Sequence, residues 1–301
     1  MARLVLACTA LLGLAGCDAP LQPAGPQLGD TPPPGTLPVL RFAVHPLHNP
    51  RKLAQAYQPL IDHLNEQLPG VHIELEASRD YADYELKFRR RAPEFLLPNP
   101  WHTLEAMKVG YSVIAMAGEP ADFKGVIVVR RDSGIRNIVD LKGKEVSYPS
   151  ATALAACVMP QWFFRAQGLD PMRDITNRYV GSQESSIMNV FLKQAAAGAT
   201  WPPPWRAFQK DHPEQAAELM VAWETAPLVN NSVMVRDDVS PTVAATVRKA
   251  LLALDATPAG RNILAGTETA RFLPATDDSY AVVGRFVREF ERRVRRVEDR
   301  K

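Results

Sequence analysis

The sequence predicts an α/β fold with largely parallel sheets, and three observations carry that expectation. Runs rich in Val, Ile, Leu and Phe alternate with segments of helical apolar periodicity along most of the chain. Helix-capping residues and Asn-Pro entries recur directly after the strand-like runs. At 301 residues and 46% hydrophobic content, the chain can bury one large core or two ordinary ones. No repeat at solenoid periods competes with this reading.

The run VLRFAVHP (39–46) is a strand that breaks at Pro46. A helix follows in NPRKLAQAYQPLIDHLNEQLPG, with Asn49 as cap, Pro50 in the first turn and Gly70 near the stop. Leu53, Ala56, Tyr57, Leu60, Ile61 and Leu64 form its apolar stripe. VHIELEA is a strand, 80–91 a helix, EFLLP a strand, and Pro100 to Val109 a helix capped by Asn99. YSVIAMA and KGVIVVRRD read as strands. Helices at 153–167 and 183–196 flank a strand near NRYVG. AELMVAWET and NSVMVRDD are strands, and helices finish the chain. Between 198 and 208, GATWPPPWRAF reads as a stiff proline strut carrying Trp201 and Trp205.

The ends of the chain bear on location. MARLVLACTALLGLAGC reads as an export signal (1–16), since its apolar run is too short to span a bilayer. Leu14-Ala15-Gly16-Cys17 resembles the bacterial lipobox, which implies lipid on Cys17, and Asp18 resembles the signal for retention on the inner membrane. Residues 17–38 are a Pro-rich tether with a reach of roughly 50–60 Å. The expected location is therefore outside the cytoplasm, anchored to the cell membrane. Only Cys157 remains in such a mature body, so no internal disulfide is expected. The net charge is +2. The basic segment 286–301 reads as a solvated helix face with Glu289–Arg293 and Glu291–Arg295 pairs, and no nucleic-acid partner is expected.

Open α/β sheets bind ligands outside the carboxyl ends of their strands, beside helix N-termini. Four turns qualify: HPLHNP (45–50), LPNPW (97–101), SYPSATALAA (147–156) and VGSQESS (180–186). The candidate ligand-binding residues from these turns and the strut are Trp201, Trp101, Asn99, His48, Ser150, Thr152, Ser182 and Gln183. Aromatic walls suit a flat or apolar group, and Trp201 is the sharpest candidate. His45 and His48 form an HxxH pair with no Cys or acidic partner at ligand spacing, so no metal and no cofactor are expected. Nucleophile-elbow, HExxH, Walker and Rossmann patterns are missing from the sequence, which argues against an enzyme.

YQPLIDHL, DYADYELKF, KGVIVVRRDSGIRNIVDLKGKEV, GLDPMRDI and YVGSQESSIMNVFLKQAAAGATW together resemble the phosphate/phosphite/phosphonate-type solute-binding proteins of ABC importers. The resemblance implies a two-lobed type II periplasmic-binding-protein fold of mixed, mostly parallel sheets. Its chain would cross twice between lobes, near Val128–Arg131 and Ala222–Leu228. Lobe one would be 39–129 plus 229–285 and lobe two 130–228. The implied partners are a small-molecule ligand and a membrane ABC permease, with the protein a monomer. A module feeding a membrane sensor kinase or cyclase is the alternative. Against the family pattern, Ala153-Leu154-Ala155-Ala156 stands where STSG is usual, Gln183 where His is, and Ala196 where an acidic residue is. Tyr81 matches a tyrosine near the family pocket, so the resemblance adds Tyr81 to the candidate ligand-binding residues.

Overall fold

A computed structural model describes residues 37–299. The predicted export signal, the Cys17 lipidation site and most of the tether lie outside the described residues. Two mixed sheets organise the chain. The first is built from β1 (Val39–Val44), β2 (His72–Glu76), β3 (Phe95–Leu97) and β4 (Tyr111–Ala117). The second is built from β5 (Val126–Arg130), β6 (Glu145–Tyr148), β7 (Thr176–Tyr179), β8 (Ala197–Thr200) and β9 (Leu219–Glu224). β10 (Asn231–Arg236) and β11 (Phe272–Leu273) then return to the first sheet. The orders are β11-β4-β10-β3-β1-β2 and β7-β6-β8-β5-β9.

The same rule generates both orders. In each sheet the first local strand is flanked in parallel by the second and the third. A strand that enters from the other sheet then inserts antiparallel between the third and fourth: β10 in the first sheet, β5 in the second. The chain therefore changes sheet at 118–125 and again at 225–230. The first change precedes the expected Val128–Arg131, because β5 pairs along its whole length with β8 and β9 and so belongs to the second sheet.

Helices cover the sheets: α1 (Pro50–Glu66), α2 (Tyr81–Arg89), α3 (Pro100–Met107), α4 (Met159–Ala166), α5 (Gln183–Phe191), α6 (Pro202–Asp211), α7 (Pro213–Ala217), α8 (Pro241–Leu252), α9 (Pro258–Gly266) and α10 (Ala281–Arg293). The α1 stripe is buried as predicted at Leu53, Tyr57, Leu60, Ile61 and Leu64. Phe42 and Phe95, in register on β1 and β3, stack with ring centres 6.0 Å apart in the first core. β5 is buried on both faces: Ile127 and Val129 pack with Tyr148 and Phe164, and Val126 and Val128 with Ile187, Val190 and Phe208.

Three local expectations change. The segment predicted as helix to 196 stops at Phe191, and Ala197–Thr200 is a central strand, as is the unpredicted Glu145–Tyr148. Ala-Gly-Ala-Thr has little β propensity, and its pairing with β5 and β6 overrides that. The Trp-Pro-Pro-Pro-Trp strut is the first turn of α6, with Trp201 as its N-cap and Trp205 N donating to Trp201 O at 3.2 Å. A helix's first amides have no intrahelical acceptor, so three prolines there lose no bond. They also let the helix start be buried without unpaired N–H groups, and Pro202, Pro203 and Pro204 are all buried. Last, the C-terminal helix starts at Ala281; Glu289 pairs with Arg293 as expected, but Arg295 turns inward and does not pair with Glu291.

Gly198 shows how tightly α5 lies on β8. A Cβ there would sit 2.5 Å from Ser186 O and 2.7 Å from Val190 Cγ2. The hydroxyl of Ser186 in turn reaches Ser147 O and Ala199 O, at 2.9 and 2.8 Å. Gly198→Ala is expected to destabilise the fold by about 1–3 kcal/mol, read as a lower urea midpoint at unchanged slope.

Candidate functional site

The carboxyl ends of β1, β2, β3, β6, β7 and β8 lead into the turns that surround one small cavity. His45, Tyr81 and Asn99 line it from the first sheet's side, Ala153–Ala156, Gln183 and Trp201 from the second, and Phe123 from the connection between the sheets. About 10 Å³ is open to a water's centre, roughly the space of a single water. Of the described residues lining it, none carries a formal charge at neutral pH.

Most helix starts around this cavity are already capped. Asn49 Oδ1 accepts from Lys52 N at 3.1 Å. Asn99 Oδ1 accepts from Trp101 N and His102 N, both at 3.0 Å, while its Nδ2 donates to Thr152 O at 3.2 Å. The Ser182 hydroxyl accepts from Ser185 N and donates to Ser185 Oγ. α6 has prolines in place of its first amides. The exception is the turn before α4. Leu154–Val158 form a π-helical turn with no side-chain cap, closed by Val158 N to Ala153 O at 3.2 Å. Its first amides, from Leu154 to Ala156, have no acceptor within the turn, and these three residues line the cavity. The anion-friendly corner is thus reduced to backbone N–H groups between alanine and leucine side chains.

The polar lining is fixed by neighbours. Gln183 Nε2 donates to Tyr81 Oη at 3.2 Å, and Thr200 Oγ1 donates to Gln183 Oε1 at 2.9 Å. Burial raises the Tyr81 phenol well above its ordinary range, so it is a neutral hydroxyl. His45 Nδ1–H donates to Leu97 O at 2.9 Å, which leaves Nε2 as the acceptor of the neutral ring. Desolvation pushes the His45 pKa from 6.5 down to about 3, against the opposing bond to Leu97. Behind the cavity, Glu85 Oε1 accepts from Thr152 Oγ1 at 2.7 Å and from His102 Nε2 at 3.2 Å. With the Thr152 proton committed to Glu85, the Ser150 hydroxyl donates to Thr152 Oγ1 at 3.1 Å.

Tyr81, Asn99, Gln183 and Trp201 of the predicted set come together at the cavity. Trp201 is 5% exposed and leans on Phe123, ring centres 5.5 Å apart. Its other side faces a second crevice, which His48 lines with Asp122, Asn231 and Glu268. Thr152 lies one bond behind the wall, and Ser150 opens onto a shallow depression with Tyr81 and Tyr179. Trp101 belongs to the first core and Ser182 is consumed as a cap. Among the described residues no group of three or more His, Cys, Asp or Glu is arranged to hold a metal ion. Sequence reading underrated His45, and it had no signal for Phe123 or for Glu85, whose helical position resembles any solvent-facing acid. At the rim Lys52 pairs with Asp211 and with Glu184 (3.8 Å), and Arg206 with Asp122 and Glu268 (3.2 and 3.0 Å). These half-exposed pairs contribute about 0–1 kcal/mol each.

The depressed His45 pKa makes a pH prediction. The unfolded histidine takes its proton near pH 6.5, whereas the folded one resists it down to about 3. Its contribution to stability is complete above pH 6.5 and is lost as pH falls toward 3, with a slope of up to about 1.4 kcal/mol per pH unit. In denaturant titrations at pH 7 and pH 5, His45→Gln is expected to lose less stability between the two than the wild type.

Comparison with known proteins places this geometry. Residues 42–280 match the family model described as ABC transporter, phosphonate, periplasmic substrate-binding protein. The binding-protein component of an ABC phosphonate transporter from Pseudomonas aeruginosa superposes with a TM-score of 0.77 at 16% identity, covering 85% of this chain and 88% of that one. PhnD1 from Prochlorococcus marinus, in complex with methylphosphonate, gives 0.77 at 19% identity, covering 84% and 98%. The tetrathionate sensor histidine kinase TtrS of Salmonella typhimurium is 26% identical over 160 residues, 48% of this chain and 26% of that protein. The chain thus spans about a quarter of the length of that curated relative. Two sheets built on one strand order, with the chain passing twice between them, are the type II substrate-binding architecture. The chain belongs to the family of periplasmic substrate-binding proteins of phosphonate ABC transporters.

Proposed function

We propose that this protein is an extracytoplasmic solute-binding lipoprotein of an ABC importer, a monomer that captures a small ligand by closing two lobes and delivers it to a membrane permease. The lobes are 39–117 with the segment after 231, and 126–224. Cys17 carries the lipid anchor. The observation that carries the reading is the convergence of turns from both sheets on one cavity, at the carboxyl ends of parallel strands. Hydrogen bonds that join the two sides, Asn99 to Thr152 and Gln183 to Tyr81, support a closed arrangement.

The ligand class follows from the wall chemistry. Backbone amides at Leu154–Ala156 suit an oxyanion or carboxylate, and Trp201 with Phe123 suits an apolar or flat substituent. No hydroxyl lies on the Ala153–Ala156 turn, and no cation lines the described cavity to offset the desolvation of a doubly charged phosphate. This wall chemistry favours a singly charged organic acid or sulfonate with an apolar arm over phosphate or a simple phosphonate, and the lobes must part to admit it, since the cavity as it stands has about the space of one water.

A sensory role is the second reading, supported by the likeness to a sensor histidine kinase. Loss of solute uptake in a deletion strain favours transport, and loss of a solute-induced transcriptional response favours sensing.

Thermal-shift screening of the purified protein against phosphate, methylphosphonate, alkylsulfonates, aromatic acids and amines is expected to single out an apolar-substituted monoanion, since a ligand of the folded state raises Tm. Trp201→Ala should weaken that ligand by about tenfold or more, corresponding to about 1.4 kcal/mol or more. Tight phosphate binding that survives Trp201→Ala would overturn the aromatic-wall reading. Separately, Cys17→Ser should move the protein from the membrane to the soluble fraction.

A further inference from the structure

Beyond α10 the chain folds back through Val294–Asp299, and Arg295 within that segment is only 6% exposed. Its guanidinium has no ion pair among the described residues; its hydrogen-bond partners are neutral. Nη1 donates to the carbonyls of Arg296, Val297 and Asp299, at 2.8, 2.9 and 3.0 Å. Nε donates to Gln161 Oε1 at 2.9 Å, and Nη2 to Ala151 O at 2.9 Å and Cys157 Sγ at 3.4 Å. The Phe290 ring lies 5.5 Å from the guanidinium carbon. All of its N–H-bearing nitrogens are engaged, three of the contacts being with the tail itself and three with the segment 151–161.

Those three outer contacts bracket the cavity turn. Ala151 precedes Ala153–Ala156, Cys157 follows it, and Gln161 stands one turn further into α4, where its Nε2 also donates to Asn177 Oδ1 at 3.0 Å. The side chains of Ala153, Leu154, Ala155 and Ala156 carry no polar atom with which to hold the turn. It is gripped at Thr152 by Glu85 of α2 and by Asn99, the cap of α3, contacts made from the first sheet's side. The other grip, from the C-terminal tail, is Arg295.

We infer that Arg295 is a positioning residue for ligand binding: from the C-terminal tail it sets the aim of the Leu154, Ala155 and Ala156 amides without touching the ligand. The inference rests on the reading of this cavity as the ligand site. A planar five-donor fork serves three acceptors at once, whereas an ammonium at the end of a flexible stem does not. A site held by neighbouring hydrogen bonds loses affinity when its support loosens.

The test uses the full chain with Arg295→Lys, which keeps the buried charge and changes the donor geometry. Calorimetry with methylphosphonate and methanesulfonate reads affinity, and amide hydrogen exchange at Leu154–Ala156 reads the turn itself. The expected result is a loss of about tenfold in affinity for the better-bound probe, with faster exchange at these amides and a retained cooperative melt. Wild-type affinity and exchange in the folded variant overturn the inference. So does weaker binding with unchanged exchange, because Arg295 would then act on the ligand and not through the turn. If Arg295→Lys does not fold, Gln161→Met removes one acceptor of the fork, and the same two readouts decide in the same way. If the wild type binds neither probe, the reading of the cavity as a site for such anions fails, and exchange alone still supports or overturns the role of Arg295 on the turn.

Discussion

Everything in this molecule depends on two strands that lie in the sheet they have just entered. β5 and β10 each follow a passage between sheets and insert antiparallel between the third and fourth strands there. Neither sheet is complete until the chain has crossed, so both connections are pinned by central-strand hydrogen bonds. β5 is apolar on both faces because cores lie on both sides of it. The same insertion leaves three neighbouring parallel strands in each sheet, whose carboxyl ends open toward the other set. The turns at those ends meet at the cavity as a result of this geometry.

What the cavity offers a ligand is decided by which backbone amides remain unused. Asn49, Asn99 and Ser182 satisfy their own helix starts, and the prolines of α6 have no amides to offer. The turn at Leu154–Val158 has neither cap nor hydroxyl. Capping side chains and ligands compete for the same donors, so a capped start is a structural element and an uncapped one beside a cavity is available for recognition. The neutral His45, the neutral Tyr81 phenol and the Gln183 amide complete a lining of dipoles.

Much of this is legible in the sequence. The Asn-Pro entries, the α1 stripe and the alternation of strand and helix follow from local rules, the strand-to-helix turns and the strut point to Asn99, Gln183 and Trp201, and the family resemblance points to Tyr81. The misses share one cause. Ala197–Thr200 reads as the lead into the proline strut after an alanine-rich helix, and only pairing with β5 and β6 makes it a strand. Trp101 has the same composition-level signal as Trp201, yet it packs into the first core. Pro202–Pro204 reads as an extended strut and equally satisfies a helix's first turn; the burial of that turn selects the second.

The sequence by itself determined the fold class, most of the helices and strands and the lack of hydroxyls at Ala153–Ala156, because these depend on residue type and short-range spacing. Tertiary structure alone decided which helix starts keep free amides, where the chain changes sheet, and that Arg295 reaches back across more than a hundred residues to Ala151 and Cys157. Those outcomes depend on which distant groups come within hydrogen-bonding distance, and a local pattern carries no record of that.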